Sequence, residues 1–515
     1  GSAADFDYDG DLLFYSRRIG GAPHGSPSVK TGEYANVPNA ASILGATKFS
    51  GKTKKGWSIG LLESVTQREY AQIDREGERR KEVVEPRTNY FVGRVMKDYD
   101  EGNTIFGAVF TAVNREKGLD WLHRNAYSGG LDFQQFWRNR WWRLSGNLLF
   151  SRVEGTAEAI AETQQSFEHY FQRSNAKHLE LDPTRTSLTG TSGNFKLSKF
   201  GGKPDRLGAI RKFEVGGTWR SPEFEVNDIG FMQSADEINH WVWAGYHIQQ
   251  PFSVFRNLRF NYNHWFKWDF GGQHLFTLYN VNAHAFFKSN WSIGGGFYHN
   301  PHDISNNALR GGSSLRRPSG SGGFGYFNSD ERKKVSFSGN VNAFGGTGGV
   351  VLSENYSAGV NIQVMDALRF GIYPGYNHSW RKQDQFVASA TYESERRVIV
   401  SEVNQKSFSL TARLTYNLTP NLTVQYYGQP FIFRALYQNY GIVTDPLARD
   451  YDARFRRFAP QEISLTEGRF SVDENGDGTV DYRFRKPDVN FIQFRSNLVL
   501  RWEYTPGSEF FLVWS

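Results

Sequence analysis

Apolar and polar residues alternate one by one along most of the chain, from about residue 42 to the C-terminus. Over residues 492–504, the even-numbered positions are mostly apolar and the odd-numbered positions are mostly polar. Successive side chains of a β-strand point to opposite faces, so this period predicts a strand with one apolar and one polar face. The same alternation recurs at residues 142–150, 258–263, 335–343 and 408–416.

Each run is about ten residues long, the length that a tilted strand needs to cross the hydrocarbon layer of a membrane. Residues 417–421 turn one run into the next, as in an antiparallel hairpin. Aromatic residues stand at the ends of several runs, where membrane barrels carry interfacial girdles: Trp141, Trp142, Trp265, Trp268, Trp502 and Tyr504.

We therefore expect an all-β fold, a transmembrane antiparallel β-barrel of about 20 strands (range roughly 18–22) with long extracellular loops. The expected location is the outer membrane of a Gram-negative bacterium, in contact with outer-membrane lipid. A soluble β-sandwich or propeller also alternates and stays open as the alternative fold, although sandwich strands are usually nearer five or six residues.

Composition narrows the classes of function. The 515 residues include 42 Phe, 25 Tyr and 14 Trp, an aromatic content of 16% that a soluble core would normally accompany with more Leu, Ile and Met. The absence of cysteine excludes disulfides, zinc–cysteine sites and thiol nucleophiles. No apolar run reaches about 18 residues, which excludes a helical membrane span. The net charge of +7 is not gathered in one block, so no nucleic acid partner is expected.

Three stretches lack the alternation. Residues 1–40 are rich in Gly, Pro and Asp, and we expect them to form a plug in the lumen or an extension across one mouth of the barrel. The barrel itself is expected over 41–515, with long loops near 154–185 and 437–487. Within the first loop, residues 156–171 favour a helix. Gly1 and Ser2 resemble a cloning remnant, so the lack of a signal peptide carries no information.

Several distinctive sequence blocks are spread over nearly the whole chain. They are 13–20 (LFYSRRIG), 86–94 (PRTNYFVGR), 102–107 (GNTIFG), 114–115 (NR), 128–132 (SGGLD), 224–231 (FEVNDIGF), 309–312 (LRGG), 501–508 (RWEYTPGS) and 511–514 (FLVW). These blocks resemble a family of outer-membrane barrels known mainly from Bacteroidota and catalogued as domain of unknown function 5916. The blocks are specific as a set.

The resemblance implies an outer-membrane barrel, which in this family is usually preceded by a sandwich module similar to family nine carbohydrate-binding domains. This chain lacks that module, either because it was trimmed or because this member is shorter. The family barrel also tends to run a little past the final tryptophan. The resemblance transfers no catalytic residue, because the family has no accepted activity.

One loop carries oxygen ligands at alternate positions. Its spacing matches the start of a calcium loop, with Gly478 permitting the sharp turn. The residues concerned are Asp473, Asn475, Asp477, Thr479 and Asp481. Phe484 stands where an EF-hand has glutamate, so the loop is not an EF-hand. We expect Ca²⁺ to stiffen this external loop without catalysing anything; an ordinary Asn-Gly and Asp-Gly turn stays open as the alternative.

Arginines recur on the polar faces of the predicted strands and could line a pore that favours anions. They are Arg94, Arg143, Arg259, Arg413, Arg495 and Arg501. Ladders of arginine and carboxylate that fill the lumen are the favoured interpretation, with Glu503 as such a partner near Arg501.

No catalytic signature is present. The twelve histidines show no metal-ligand spacing, and His299 and His302 are expected in a turn. Nucleophile elbows, P-loops and dinucleotide fingerprints are absent.

Three functions remain open. A pore or transport barrel is favoured, because about 20 strands enclose a lumen too wide for side chains alone to fill. The alternative is a surface anchor or scaffold for a glycan-binding module, a glycan, or an outer-membrane or periplasmic protein partner. A hydrolase with its site among the loops is the least favoured hypothesis.

Overall fold

The computed structural model describes residues 11–515, so the first ten residues of the expected N-terminal segment lie outside the described part of the chain. Nearly all regular structure is β-strand. The described residues contain one α-helix, α1 (Ala157–Gln165), and short 3₁₀ turns at Ser16–Arg18, Asp100–Gly102, Thr347–Gly349 and Asp452–Arg454. No helix among them is long and apolar enough to cross a membrane.

The strands follow one another along the chain with these bounds. They are β1 (Tyr34–Asn36), β2 (Ile43–Lys52), β3 (Trp57–Thr66), β4 (Glu69–Arg75), β5 (Glu78–Glu85), β6 (Thr88–Tyr99), β7 (Thr104–Arg115), β8 (Asn125–Trp137), β9 (Trp142–Glu154), β10 (Ser187–Lys199), β11 (Ala209–Arg220), β12 (Glu237–Ile248), β13 (Phe255–Trp268), β14 (His274–Phe287), β15 (Ser292–Ser305), β16 (Leu315–Arg316), β17 (Gly320–Asn328), β18 (Val335–Gly346), β19 (Val351–Met365), β20 (Leu368–Tyr392), β21 (Glu395–Thr419), β22 (Leu422–Val443), β23 (Phe455–Arg457), β24 (Ile463–Thr466), β25 (Arg469–Val472), β26 (Tyr482–Arg485), β27 (Val489–Thr505) and β28 (Ser508–Trp514).

The chain divides into two compact units. The first contains the described part of Gly1–Gly202 together with Lys212–Val242 and Trp265–Leu275. The second contains Lys203–Arg211, Trp243–His264 and Phe276–Ser515. Strands β11 to β14 therefore contribute residues to both units.

Antiparallel pairing between neighbours in the chain builds the sheet of the first unit. Strand β2 pairs with β3, β3 with β6, and each strand from β6 to β10 pairs with the next. Strands β4 and β5, in the connection that leads from β3 to β6, form a separate three-stranded sheet with β1, which precedes β2 in the chain. Consecutive antiparallel pairing of this kind needs only short turns at one edge of the sheet.

The second unit is built in the same way. Strands β14, β15, β17, β18, β19, β20, β21, β22, β27 and β28 pair antiparallel in that order. Strands β20 and β21 each reach 25 residues. A small sheet of β24, β25 and β26 packs beside their far ends around a core that contains Ile399, Tyr440 and Phe484.

The two faces of the strands differ in an unusual sense, because the apolar face is the exposed one. Leu131 in the middle of β8 is 64% exposed, and Ile492 and Phe494 in β27 are 73% and 63% exposed. On the opposite face of the first unit, the polar side chains of Thr88 and Ser151 are buried. In a water-soluble sheet the apolar face would be the one that packs into the core.

The alternating runs predicted from the sequence all lie within strands, and the hairpin at residues 417–421 joins β21 to β22. Three local predictions differ from the structure. Strand β22 continues to Val443, so the long connection is 444–488, and it contains strands β23 to β26. His299 and His302 lie in β15 and not in a turn. The helix within 156–171 is confined to α1, which Thr156 caps by accepting a hydrogen bond from the Ala159 N–H.

Alternate connections of the first unit differ in length. In the first unit, residues 53–56, 100–103 and 138–141 are short turns, whereas 155–186 and 221–236 are long. In an antiparallel sheet, alternate connections lie at the same edge, so the long ones of this unit meet at one edge.

Gly190 in β10 marks where a long connection touches the sheet. A Cβ at this position would lie 2.2 Å from the backbone nitrogen of Phe224, whereas a Cβ at Gly45 in β2 would meet nothing within 4 Å. We expect Gly190→Ala to lower the free energy of unfolding by about 1–3 kcal/mol through overpacking. The control Gly45→Ala should leave it unchanged. Denaturant titration followed by tryptophan fluorescence measures both, and equal effects of the two variants would contradict this packing.

Candidate functional site

A layer of chain lies on the polar face of the first unit. This covering layer consists of residues 11–25 and the two long connections 155–186 and 221–236. Leu12 and Phe231 exchange two backbone hydrogen bonds of 2.8 Å, and the Tyr15 N–H donates to the Ile229 carbonyl at 2.8 Å. Residues 12–15 are thus fixed to the connection 221–236 through backbone hydrogen bonds.

Apolar side chains anchor the covering layer to the strands. Leu13, Phe224 and Met232 from the layer pack with Leu149 of β9, and Ile160 of α1 packs in a second cluster with Leu188 of β10. Leu13, Phe224 and Ile160 are fully buried. Burial of a side chain of this size contributes roughly 1.5–3 kcal/mol.

Buried charges form the polar part of the same interface. Arg115 at the end of β7 donates to the carboxylate of Asp228 and, at 2.9 Å, to the backbone carbonyl of His123. His123 Nδ1 lies 2.9 Å from the other Asp228 oxygen, and its Nε2 lies 2.6 Å from the Thr163 hydroxyl. Since that hydroxyl donates to the Ala159 carbonyl, it accepts from His123, and the ring carries both protons.

A second buried histidine is held in the same way. His169 Nε2 lies 2.9 Å from the Glu225 carboxylate, and its Nδ1 lies 2.8 Å from the carbonyl of Pro222. Both neighbours accept hydrogen bonds, so this ring also carries two protons. The two histidines therefore tie α1 and its following segment to the connection 221–236 through charge-assisted hydrogen bonds.

These contacts shift the pKa of the loop groups. Burial opposes charging of His123, but the charge and hydrogen bond of Asp228 outweigh it, so the pKa of His123 is raised. Burial likewise opposes charging of His169, and its hydrogen bond to Glu225 raises the pKa above the ordinary value. Burial alone would raise the pKa of Asp228, but the charges and hydrogen bonds of His123 and Arg115 hold that pKa well below its ordinary value.

Two further ion clusters complete the interface. Arg220 of β11 donates to Asp11 and, at 2.7 Å, to Glu237, whose carboxylate also accepts from Lys267 at 3.0 Å. Elsewhere, Asp236 contacts both Arg173 and His178. Together with Asp269, the ligand atoms of His178 and Asp236 lie within 4.8 Å of one another, the one such grouping of three His, Asp or Glu residues found in residues 11–515.

The polar face of the second unit carries neutral amides. An amide row of Asn261, Asn263, Asn280 and Asn282 crosses strands β13 and β14 with hydrogen bonds of 2.8, 2.9 and 2.5 Å. The row is continued on one side by His247, which lies 2.9 Å from Asn261.

On the other side, His284 lies 2.9 Å from the Asn282 oxygen and 2.8 Å from the Tyr326 hydroxyl. Tyr298 of β15 donates to Asn342 of β18 at 3.0 Å. Most of these side chains are partly exposed. This face therefore offers amide and hydroxyl groups, both donors and acceptors, to a polar solute.

The six predicted pore-lining arginines all lie on polar faces, and most have a partner. Arg94 donates two hydrogen bonds to Asp132, and Arg143 lies 3.3 Å from Glu214. Arg501 donates to Glu509 and lies 3.9 Å from Glu503.

The remaining three arginines belong to the second unit. The guanidinium groups of Arg259 and Arg413 lie over the rings of Phe286 and Tyr427. Arg495 lies opposite Gln429 in the strand register. Pore lining by the six arginines stays a prediction.

The predicted calcium loop is folded around its own carboxylates. Asp473 accepts from the backbone N–H groups of Gly476, Asp477 and Gly478, and Asp477 accepts from that of Thr479. Asp481 accepts from the N–H of Glu474, and Asn475 donates to Asp477. Among the described residues, no three carboxylates of this loop approach one another as a metal-ligand group. Calcium binding here stays a prediction.

Sequence reasoning missed the buried clusters. Asp228 and Glu225 lie within the block 224–231 that carried the family resemblance, but their partners His123 and His169 stand 105 and 56 positions away. No local spacing connects residues at such distances. The local sequence shows only that the connection 221–236 is rich in acidic residues, and it does not reveal that several of them are buried and paired.

Comparisons with known proteins give one family and several distant structural likenesses. A family model described as "Domain of unknown function (DUF5916)" matches residues 8–515. A search of curated proteins gives no match.

Among solved structures, the siderophore receptor PirA from Acinetobacter baumannii is 8% identical, with 93% of this chain and 75% of that chain covered and a TM-score of 0.36. A mutant of the ferric enterobactin receptor PfeA from Pseudomonas aeruginosa, in complex with enterobactin, is 8% identical, with 88% and 75% covered and a TM-score of 0.35. The ferric citrate transporter FecA in its unliganded form is 11% identical, with 89% and 67% covered and a TM-score of 0.33.

The buried histidines predict that the covering layer loosens at high pH. A raised pKa means that each imidazolium contributes fully below its ordinary value of 6.5, and that the contribution is lost as the pH rises through the raised value. The ionised carboxylate of Asp228, whose pKa is lowered, stabilises the attachment above pH 3.8, and this stabilisation is lost as the pH falls through the lowered pKa. The covering layer is therefore attached most firmly between pH 3.8 and pH 6.5.

Hydrogen exchange, corrected for intrinsic rates, measures this effect. From about pH 6 to about pH 9, amides of α1 and of residues 221–230 should lose protection, because the hydrogen bonds of the two imidazolium groups to Asp228 and Glu225 weaken once the rings lose a proton. Amides of β24 and β25 serve as the internal control. His169→Gln should flatten the profile, and an unchanged profile in that variant would rule out the histidine as the cause.

Proposed function

The chain belongs to the family described as Domain of unknown function (DUF5916), and from the reversed polarity of its two sheet faces we propose that it is an outer-membrane β-barrel that moves a polar solute. The observation that carries this proposal is the exposure of the apolar face together with the shielding of the polar face. An apolar surface of this extent is stable where lipid replaces water.

Strand number and length support a barrel. Within residues 11–515, the large sheet has twenty-two strands, and setting aside the short β16 and β23 leaves twenty. A strand needs about nine to eleven residues to cross a bilayer. All of the twenty except β28 have at least nine residues. We propose that they close into one barrel, since an open edge in lipid would leave backbone groups without hydrogen bonds.

Transport is supported by what the polar faces carry. The amide row and its neighbours in the second unit give a hydrated wall of neutral donors and acceptors, suited to an uncharged polar solute or water. In the first unit, the covering layer occupies the polar face and is held by buried ion pairs. We propose that this layer acts as a plug that restricts passage and is released by a partner protein or by the solute.

A second candidate is a surface scaffold. The long strands β20 to β22, with the small sheet β24 to β26 packed beside them, form a folded projection with its own apolar core of Ile399, Val472 and Phe484. A projection of this kind can present a binding surface for a protein or a glycan. Ca²⁺ in the loop 473–481 would stiffen its outer side.

The membrane assignment predicts different effects for the two faces of β8. Leu131→Arg places a charge on the exposed apolar face and should cost about 2–4 kcal/mol in lipid vesicles if it lies near the bilayer centre. The matched variant Gln134→Arg lies on the polar face of the same strand and should cost much less. Reversible denaturant unfolding in vesicles gives both values. Equal costs, or full stability of Leu131→Arg in water without lipid, would contradict the proposal.

Solute flux tests transport directly. In proteoliposome swelling assays with neutral sugars, Arg220→Met should raise the swelling rate, because removing one partner of a buried ion pair costs about 3–5 kcal/mol and loosens the plug. Arg152→Met, which removes an exposed pair with Glu154, is the control and should match the wild type. Absence of flux in the wild type and in Arg220→Met alike would refute transport and favour the scaffold.

A further inference from the structure

Three residues from separate connections of the first unit bring ligand atoms together. His178 lies in the connection 155–186, Asp236 ends the connection 221–236, and Asp269 begins the turn between β13 and β14. His178 Nε2 lies 2.9 Å from Asp236 Oδ1, and all three ligand atoms lie within 4.8 Å of one another. Ligands that share a zinc ion with bonds of about 2.0–2.2 Å stand roughly 3–4 Å apart.

Within residues 11–515, the direct ion pairs of this cluster reach only one of its two carboxylates. Asp236 contacts both the Arg173 guanidinium and the His178 imidazole. Asp269 is only 3% exposed, and its hydrogen-bond partner is a single backbone N–H, that of Gln273. A buried carboxylate normally has a charged partner or a metal ion. Ion pairing alone therefore accounts for Asp236 but not for Asp269.

The backbone is shaped to allow this approach. Asp236 has a φ of +56°, a left-handed conformation that aspartate tolerates better than most residues. A Cβ on Gly271 would lie 2.3 Å from His178 Nδ1, so glycine at this position lets the imidazole reach the turn.

We propose that His178, Asp236 and Asp269 bind a divalent transition-metal ion of the zinc type. One imidazole nitrogen and two carboxylate oxygens are a donor set that suits Zn²⁺, with water completing a tetrahedron. Arg173 bonds the second oxygen of Asp236 and orients that ligand from outside the coordination sphere. The two carboxylate charges are then balanced by the arginine and the ion together.

The ion ties three connections to one another. His178 fixes the end of the α1 connection, Asp236 fixes the connection 221–236, and Asp269 fixes the turn after β13. Binding to the folded state alone stabilises this arrangement by mass action. The site is thus a structural staple for the covering layer, and it does not depend on whether the chain transports a solute.

Zinc titration of the full chain tests the site. The protein is prepared without a histidine tag, stripped with chelator, and titrated with Zn²⁺ by calorimetry and with Co²⁺ by visible absorption. We expect one equivalent of either ion, and the Co²⁺ spectrum should show the intense bands of four-coordinate geometry. Asp269→Asn and His178→Gln should each weaken binding by about 100-fold or more.

Two variants serve as controls. Asp330→Asn alters another buried aspartate that pairs with Arg332, and Asp473→Asn alters the predicted calcium loop. Both should keep the zinc equivalent. Circular dichroism establishes that each variant is folded. If the folded wild type binds no stoichiometric ion, or if Asp269→Asn binds as tightly as the wild type, the cluster is an ion-pair network only and the proposal is overturned.

Discussion

The two faces of each strand impose the main constraint on this molecule. Backbone hydrogen bonds join each strand to its neighbours, so the only freedom left is which face meets which surroundings. Here the apolar face, with Leu131 and Ile492, is the exposed one. Most polar side chains of the same strands then point to the other face, where charges and amides need partners or water. The long connections, the ion pairs and the amide row supply these partners.

The two units meet the requirement differently. In the first unit, the covering layer shields the polar face, and the charges that it buries are paired: Arg115 and His123 with Asp228, His169 with Glu225, and Arg220 with Glu237. In the second unit, amides such as Asn261 and Asn282 bond to one another and stay partly exposed. Breaking paired buried charges is costly, whereas neutral amides exchange readily with water. The polar face of the first unit therefore holds a segment in place, whereas the polar face of the second unit stays accessible to water.

The attachment of the covering layer links stability to function. Its histidines and carboxylates stabilise it within one range of pH, and the proposed metal ligands His178, Asp236 and Asp269 would fix three of its connections. A segment with several separate attachments is released only when most of them are broken. In the transport barrel proposed above, such a segment would act as a plug that opens on a signal.

Alternation by itself determined the strands and their polar and apolar faces, because side-chain direction has a period of two and needs no information from distant residues. Local turn residues likewise placed the hairpin after β21. The sequence also marked the two long connections as irregular. It did not predict the length of β22, since tertiary packing of β23 to β26 extends that strand beyond the clear pattern. The clusters of Asp228 with His123 and of Asp269 with His178 were decided only by the tertiary structure. Their members lie in different connections, and only antiparallel pairing, which gathers alternate connections at one edge of the sheet, brings them within bonding distance.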